Sequence, residues 1–571
     1  MSLIENFLEK CSEFDNNISY RYLVDGENNV KNITYRELKE SAEKFAGFLL
    51  EKYQPQSRVL LLFDTSLDFI ISFWGTIIAG MVAVPVQPPF NFKMLERLLH
   101  IGKNADSNIL ITSHDFLQQL DSFKSYFEQL PAMEKFSVTQ ILNENKKYEM
   151  PNISNDFNAL IQYTSGSVGS SKGVLLSHNN MMSNVKMPIA VLTKIKPEKT
   201  EKDSCLTWLP LYHDMGLISG ILMPVFMGIE SVVMSPLMFL QKPFRWIKAL
   251  SDYKSSVSAA PNFAYDLCVK KVKDEQLEGL DISNWSIALN GAESVRYDTI
   301  ENFSNKFSKA GFRKKQFYPA YGLAESVVFV TGKSRNEEVR FLQLDKTALE
   351  KNKVVLSDVE KDSLKILGLG YTWEDAELAI INSETLELVG ENEVGEICVS
   401  GKSIAKCYWN SDEETNKVFD TKINSTDEKY KDKTFLRTED LGFVYDGFLY
   451  MTGRLKDLII IRGNSYYPQH IEQTTEKSHE SFRLGNCSAF SIDEDNEEKL
   501  VIIQEIKKDM SISNFDDLVN LVRKNVTETH AISPYKIVFV KTESLPKTSS
   551  GKLQRRLSKK MYLNNEFSFL N

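Results

Sequence analysis

The chain has 571 residues, 42% hydrophobic and 25% charged, with a net charge of −9. That length exceeds one hydrophobic core and implies roughly two to four domains. The acidic balance argues against a nucleic-acid binder, which carries a basic footprint. Six scattered cysteines form no C-x-x-C pair and have no histidine at ligand spacing. Such usage suits reduced thiols in the cytoplasm and gives no support to a zinc site. The start, MSLIENFLEKCSEFD, is acidic where a signal peptide is basic and then apolar. In chain order, Thr34 with Glu37 makes a capping box, and Tyr35, Leu38, Ala42, Phe45, Ala46 and Leu49 follow at helical spacing. VLLLF (59–63), a helix from 67 to 79 and VAVPV (82–86) predict a β-α-β unit. The uncharged run from Phe69 to Val86 reaches about 18 residues, the lower limit of a membrane span. Gly80 and Pro85 divide it, so a buried helix turning into a buried strand is expected, with no membrane span. NILIT (108–112) opens a second α/β unit, and ALIQYTSGS carries a strand into a glycine-rich loop.

That loop, YTSGSVGSSKG at 163–173, sets Gly166, Gly169 and Gly173 among the hydroxyls of Thr164, Ser165, Ser167, Ser170 and Ser171, with one cation, Lys172. Successive backbone N–H groups at glycines form an anion-binding concavity, suited here to a polyphosphate. It is not a Walker A loop: Gly173 follows Lys172 where that motif has Ser or Thr. Taken singly it reads equally as a flexible surface turn; its place between a strand and a strand-then-helix favours phosphate binding. TWLPLYHDMGL (207–217) is apolar except for His213 and Asp214, and a lone histidine in such a stretch is more often core than catalytic. ISGILMPVFMG (218–228) builds core or lines an apolar pocket; periodicity does not separate the two. SAAPNFAY (258–265) and NGAE (290–293) look like strand ends with small residues, and open α/β sheets bind ligands beyond the carboxyl ends of strands. In YPAYGLAES (318–326), Tyr321 suits stacking on a base and Glu325 suits holding Mg²⁺ through oxygen.

YTSGSVGSSKG, WLPLYHDMGL, NGAE and YPAYGLAES, in this order, resemble the motifs of the adenylate-forming, AMP-binding superfamily of acyl-activating enzymes. LRTEDLG (436–442), GRLKDLIIIRG (453–463) and LPKTSSGKLQRR (545–556) extend the resemblance, giving seven collinear motifs over nearly the whole chain. The resemblance implies ATP and Mg²⁺ as cofactors and a residue-by-residue assignment. Thr164, Ser165, Gly166, Ser167, Gly169 and Lys172 would cradle phosphates, and Glu325 would place Mg²⁺. Asn290, Gly291, Ala292, Tyr321 and Gly322 would hold adenine, while Asp440 and Arg454 would hold the ribose. Lys552 would bridge the carboxylate and the α-phosphate, His213 would sit near the reacting carboxylate, and Lys456 would be the hinge. Two residues depart from the pattern. Ser171 stands where the family has proline, which should loosen the loop, and Glu439 stands where glycine precedes the ribose aspartate, putting a second carboxylate beside Asp440.

Three stretches resemble the fatty acyl-AMP ligase branch: WLPLYHDMGLISG, APNFAYDLC (260–268) and RGNSYYPQHIE (462–472), the last with Asn464, Ser465, Tyr466 and His470 differing. FLQLDKTALEKNKVVLS (341–357) resembles the insertion that marks this branch and restrains its C-terminal domain; the alternative is an ordinary surface connector with solvated charges. The implied fold is α/β, with a large multi-subdomain N-terminal adenylating domain (1–453) and a small mobile α/β C-terminal domain (454–571). The implied activity is formation of a fatty acyl-adenylate and acyl transfer to the phosphopantetheine thiol of a separate acyl carrier protein, or of a polyketide or peptide synthase carrier domain. An acyl-CoA synthetase and a nucleotide-binding homologue without turnover are the alternatives. Met215, Met223, Phe226 and Phe263 are candidates for the acyl tunnel wall, and each reads equally as core. In the C-terminal part LIIIR, NCSAFSI, LVIIQEI and KIVFVK predict strands, PQHIEQTTEKSHE and NFDDLVNLVRKN helices. Its basic end, Lys547, Lys552, Arg555, Arg556, Lys559 and Lys560, suits phosphate or an acidic carrier, and for all but Lys552 it suits plain solvent equally.

Overall fold

The structure, a computed structural model, describes residues 2–89, 91–120, 133–164, 171–193, 203–360, 363–461, 464–494, 497–508, 510, 514–548 and 551–571. It divides into two compact units: residues 1–339, 369–377 and 399–420 form the first, and 340–368, 378–398 and 421–571 the second. Both are mixed α/β, as the sequence implies.

The first unit is built on two sheets. One has seven strands in the order Cys407–Tyr408, Gly173–Ser177, Asn158–Tyr163, Val82–Val86, Arg58–Leu62, Ile109–Thr112 and Glu134–Ser137. Its middle is parallel and nearly all apolar because helices cover it. The capping box forms as expected: Thr34 Oγ1 accepts from Glu37 N at 3.2 Å, and Glu37 Oε2 accepts from Thr34 N at 2.8 Å. The helix it starts, Tyr35–Lys52, packs on Leu67–Ile78. Gly75 permits that approach, since a Cβ there would come 2.7 Å from Phe45 Cγ. Gly80, at φ +66°, turns Leu67–Ile78 into the buried strand Val82–Val86. Among the described residues no helix is long and apolar enough to cross a membrane.

The second sheet has nine strands, and its parallel centre runs Phe317–Tyr321, Ile287–Asn290, Val257–Ala260, Cys205–Thr207, Ser231–Met234 and Ile18–Leu23. Trp246, Tyr265, Trp285, Phe303 and Phe317 form a buried aromatic cluster in this part of the unit, with Trp246 and Trp285 edge-on at 5.1 Å. Large buried aromatics of this kind dominate core energetics.

The second unit contains a four-stranded sheet, Glu377–Ile381, Gly395–Ser400, Leu436–Tyr445 and Phe448–Arg454. Its C-terminal part pairs Phe482–Glu494 antiparallel with Glu497–Ile506, which lies parallel to Lys536–Val540, under helices Pro468–Lys477 and Phe515–His530. LIIIR forms only the short strand Ile459–Ile461, hairpinned to Asn464–Tyr466. The segment that resembles the branch insertion pairs Phe341–Asp345 with Ser363–Leu367 and belongs to this same unit. Ser465 N–H donates to the Glu350 carbonyl at 3.0 Å, and the Tyr467 hydroxyl to Asn352 Oδ1 at 3.3 Å.

Candidate active site

Parallel register sets Ala260 beside Asn290 and Asn290 beside Pro319, so APNF, NGAE and YPAYGLAES leave one carboxyl edge of the nine-stranded sheet together. Asn290 is fully buried; its Nδ2 donates to Asn262 Oδ1 at 3.3 Å, and its Oδ1 has no partner among the described residues. Ala292 turns the chain at φ +65°. Tyr321 is 6% exposed at its strand end, and its carbonyl accepts from Val330 N at 3.0 Å. A Cβ on Gly322 would fall inside the Val328 carbonyl oxygen, so only glycine fits there. Glu325 lies in the short turn Ala324–Ser326, and its Oε1 accepts the Tyr408 hydroxyl at 2.6 Å. Asn184 clamps the same turn, donating to the carbonyls of Ser326 at 2.8 Å and Phe329 at 2.7 Å.

The glycine-rich loop opens from a hairpin, Tyr163 lying opposite Gly173. Thr164 N donates to Lys172 O at 3.0 Å, and Arg97 donates to the Thr164 carbonyl at 3.0 Å. Ser165, Gly166, Ser167 and Gly169 lie outside the described residues. Ser171 is buried, with no partner for its hydroxyl among the described residues. Lys172 Nζ sits 4.5 Å over the Tyr408 ring and 2.5 Å from Glu414 Oε2. Hydrogen bonds from Lys172 and then Lys417 hold the Glu414 carboxyl at about 2, below its ordinary value.

His213 precedes a helix, Asp214–Leu217, that runs into a π-helical turn, Ile218–Leu222, and on to Met223–Met227. Such turns occur often at functional sites. Its Nδ1 is 2.7 Å from Asp214 Oδ1. Of the four tunnel candidates, Met215, Met223 and Phe226 are buried, and the last two ride on a helix packed with Leu3–Glu13 and His178–Thr193. Phe263 is partly exposed, edge-on to Trp208 at 6.4 Å, and its N–H donates to Glu293 Oε1 at 2.7 Å. That contact ties one tunnel candidate to NGAE.

In the second unit, Asp440 and Arg454 are register partners, with Arg454 Nε 3.1 Å from the buried Asp440 Oδ1. Glu439 adopts φ +60°, a conformation that favours glycine, as the family pattern has it. Its carboxylate is not left bare beside Asp440: Lys456 Nζ lies 2.6 Å from its Oε1. Lys552 closes a turn in which its carbonyl accepts from Thr548 N at 2.8 Å and its N–H donates to Thr548 Oγ1 at 3.0 Å. Arg555 is drawn inward: it donates to both Glu472 oxygens at 2.7 Å and to Asp457 at 3.2 Å.

The family model for AMP-binding enzymes matches residues 9–409, and that for the AMP domain of Disco-interacting protein 2-like proteins matches 456–571. The chain belongs to the AMP-binding enzymes. This AMP-binding enzyme is 38% identical over 556 residues to the medium-chain-fatty-acid–[acyl-carrier-protein] ligase JamA of Moorena producens, covering 95% of this chain and 92% of that protein. It is 31% identical to the medium-chain-fatty-acid–[acyl-carrier-protein] ligase TtuA of Teredinibacter turnerae, covering 97% of this chain and 92% of that one. The solved fatty acyl-adenylate ligase of L. pneumophila, in complex with acyl adenylate and pyrophosphate, superposes with TM-score 0.75 at 36% identity, over 99% of this chain and 96% of that chain.

Sequence reasoning missed several groups that position the AMP-binding enzyme's motifs. Gln162, in the strand before the loop, donates to the Tyr212 carbonyl at 2.9 Å and ties that strand to the His213 segment. Asn262 joins Asn290 to Thr299, and Asn184, Tyr408 and Glu414 act as described above. The signal for Asn262 was present in APNFAY, beside the strand end. Tyr408 and Glu414 lie in CYWNSDEET, a stretch with no spacing pattern of its own; only the fold brings them to Glu325 and Lys172.

Proposed function

We propose that this AMP-binding enzyme is a fatty acyl-AMP ligase that hands its acyl group to a separate carrier protein. A fatty carboxylate oxygen attacks the α-phosphorus of ATP; the bond from that phosphorus to the α–β bridging oxygen breaks, giving acyl-AMP and pyrophosphate. The phosphopantetheine thiol of the carrier then loses its proton and attacks the acyl carbonyl, and AMP leaves. One observation carries the reading: Gln162, in the strand before the loop, binds Tyr212 beside His213, Asn262 accepts from Asn290, Asn290 pairs in register with Pro319, and Asn184 clamps the turn at Ser326. The fatty acid and carrier are supported by the named activities of JamA and TtuA.

Positioning and charge stabilisation do most of the work in such a phosphoryl-centred step. The loop from Thr164 to Lys172 would take the β- and γ-phosphates, Tyr321 would face adenine beside Gly291, Ala292 and Gly322, and Asp440 with Arg454 would take the ribose hydroxyls. Asn290 Oδ1, buried and without a partner among the described residues, suits a donor from the adenine amine. Glu325 supplies a carboxylate of the kind that holds Mg²⁺ together with substrate phosphates, and the ion held there would neutralise phosphate charge. Lys552 would meet the charge that gathers between carboxylate and α-phosphate, with His213 beside the carboxylate. Lys456 would be the pivot of residues 454–571. Each buried methylene of the acyl chain contributes about 0.8 kcal/mol, so the tail supplies much of the affinity. A reducing cytoplasm suits six unpaired cysteines.

The test incubates the protein with ATP, Mg²⁺ and fatty acids of graded length, adds CoA or a holo-carrier protein, and reads products by mass spectrometry. Acyl-AMP followed by acyl-carrier is expected. Acyl-CoA as main product overturns the transfer step, and no acyl-AMP with any acid overturns the activity.

A further inference from the structure

Residues 401–418 return to the phosphate side of the first unit from far along the chain. Cys407–Tyr408 is added as an edge strand to Gly173–Ser177, Tyr408 opposite Val174, and Trp409 N donates to Gly173 O at 2.7 Å. Tyr408 is 6% exposed, and its own N–H is taken by Thr415 Oγ1 at 3.0 Å, so ring and backbone are both fixed. Its hydroxyl ends 2.6 Å from Glu325 Oε1, and the Glu325 carbonyl is held by Ala405 N at 2.8 Å. Its ring face lies under Lys172 Nζ at 4.5 Å, while Glu414 holds the same ammonium at 2.5 Å. One side chain therefore touches the carboxylate assigned to the metal and the cation of the phosphate loop.

We propose that Tyr408 is a positioning residue that couples the two: its hydroxyl fixes the Glu325 carboxylate, and its ring seats Lys172. The inference rests on the proposed roles of Glu325 and the loop. A phenol donating to one carboxylate oxygen restricts rotation of the group and so fixes the direction in which the carboxylate points. Hydrogen-bond partners of metal-binding carboxylates act this way, and removing one typically weakens metal affinity about 10–100-fold. The ring does a separate job, because a cation is attracted to an aromatic face, and that attraction does not need the hydroxyl.

The two jobs separate by substitution. Tyr408→Phe keeps the ring and loses the hydroxyl; Tyr408→Leu loses both. The readouts are Mn²⁺ binding by electron paramagnetic resonance with a non-hydrolysable ATP analogue, and the Mg²⁺ and pyrophosphate dependence of ATP–pyrophosphate exchange. Tyr408→Phe should weaken Mn²⁺ binding about 10-fold and leave the half-saturating pyrophosphate unchanged; Tyr408→Leu should weaken both. Glu325→Gln is the control on the parent reading. If Glu325→Gln weakens Mn²⁺ binding and Tyr408→Phe does not, the coupling is wrong and the metal assignment stands. If neither does, the assignment of Glu325 itself fails. A uniform fall in exchange rate with unchanged metal and pyrophosphate dependence also overturns the proposal, since a merely structural tyrosine would produce it.

Discussion

Gly322→Ala gives a sharp test of the carboxyl-edge site. The added Cβ would sit 2.7 Å from the Val328 carbonyl carbon and 3.2 Å from Phe329 Cα, inside the space of the Val328 oxygen. Carbon contacts settle near 3.5–4.0 Å, so the turn from 322 to 329 has to open by about 1 Å. Backbone cannot rotate away as a side chain would. The same turn carries Val330 N to Tyr321 O at 3.0 Å and both Asn184 bonds at 2.8 and 2.7 Å. Losing two of these, at about 1 kcal/mol each, destabilises the protein by about 2 kcal/mol. A 1 Å misplacement of Tyr321 and Glu325 costs on the order of 100-fold in rate. ATP–pyrophosphate exchange at saturating fatty acid and thermal unfolding read the two effects. Gly279→Ala is the control: it sits at φ +75° with nothing within 4 Å, so it strains backbone without crowding any neighbour and should leave exchange intact. Exchange by Gly322→Ala within about threefold of the unsubstituted enzyme, against the hundredfold expected, would refute the placement.

Lys552→Ala should lose about 3 kcal/mol of barrier stabilisation, on the order of 100-fold in adenylation rate, with ATP affinity little changed; normal acyl-AMP formation would remove Lys552 from the chemistry. Burial pushes His178, 1% exposed, down to about 4 from its ordinary 6.5. The unfolded chain then binds a proton that the folded chain refuses, so this stability is full above pH 6.5 and is lost as pH falls toward 4. At about one pH unit below 6.5 the loss is on the order of 1 kcal/mol. Both ring nitrogens lack partners among the described residues, so His178→Leu gives up no hydrogen bond and should melt with a flatter slope between pH 7 and 5; an unchanged slope in calorimetry would count against it. Glu439→Gly removes a left-handed non-glycine residue and the Lys456 ion pair together. Strain of about 1 kcal/mol relieved and a half-exposed pair worth about 0–1 kcal/mol lost should nearly cancel. Melting should stay put while acyl transfer to the carrier quickens; slower transfer would mean that the pair assists the pivot.

What the sequence made legible was local or collinear. The capping box at Thr34 and Glu37, the break at Gly80 and the strand before the loop depend on neighbours within a few residues, and each forms as expected. The family follows from seven motifs whose order survives any fold. Groups that act across long separations were hidden: Tyr408 meets Glu325 83 positions away, Asn184 meets Ser326 142 away, and Gln162 meets Tyr212 50 away. No periodicity links such pairs, because an edge strand or a helix brings them together only after the sheet exists. Charge was misread for a related reason. Arg555 read as part of a basic end facing phosphate, an acidic carrier or solvent, yet Glu472 and Asp457 enclose it.

Cations assigned to phosphate, ribose or hinge duty are already paired within their own units: Lys172 with Glu414, Arg454 with Asp440, Lys456 with Glu439. A lysine left bare would attract any polyanion by charge alone. A lysine held by a carboxylate instead offers an incoming phosphate an exchange of partners, and the net gain is only the difference between the two. Such a difference is small for a single phosphate and grows when several contacts are made at once. In the proposed site those further contacts would come from the glycine-rich loop and from a cation held at Glu325. On that reading, selectivity for a nucleotide triphosphate over inorganic phosphate would follow from pairing rather than from strength of charge, in a chain whose overall charge of −9 otherwise repels polyanions.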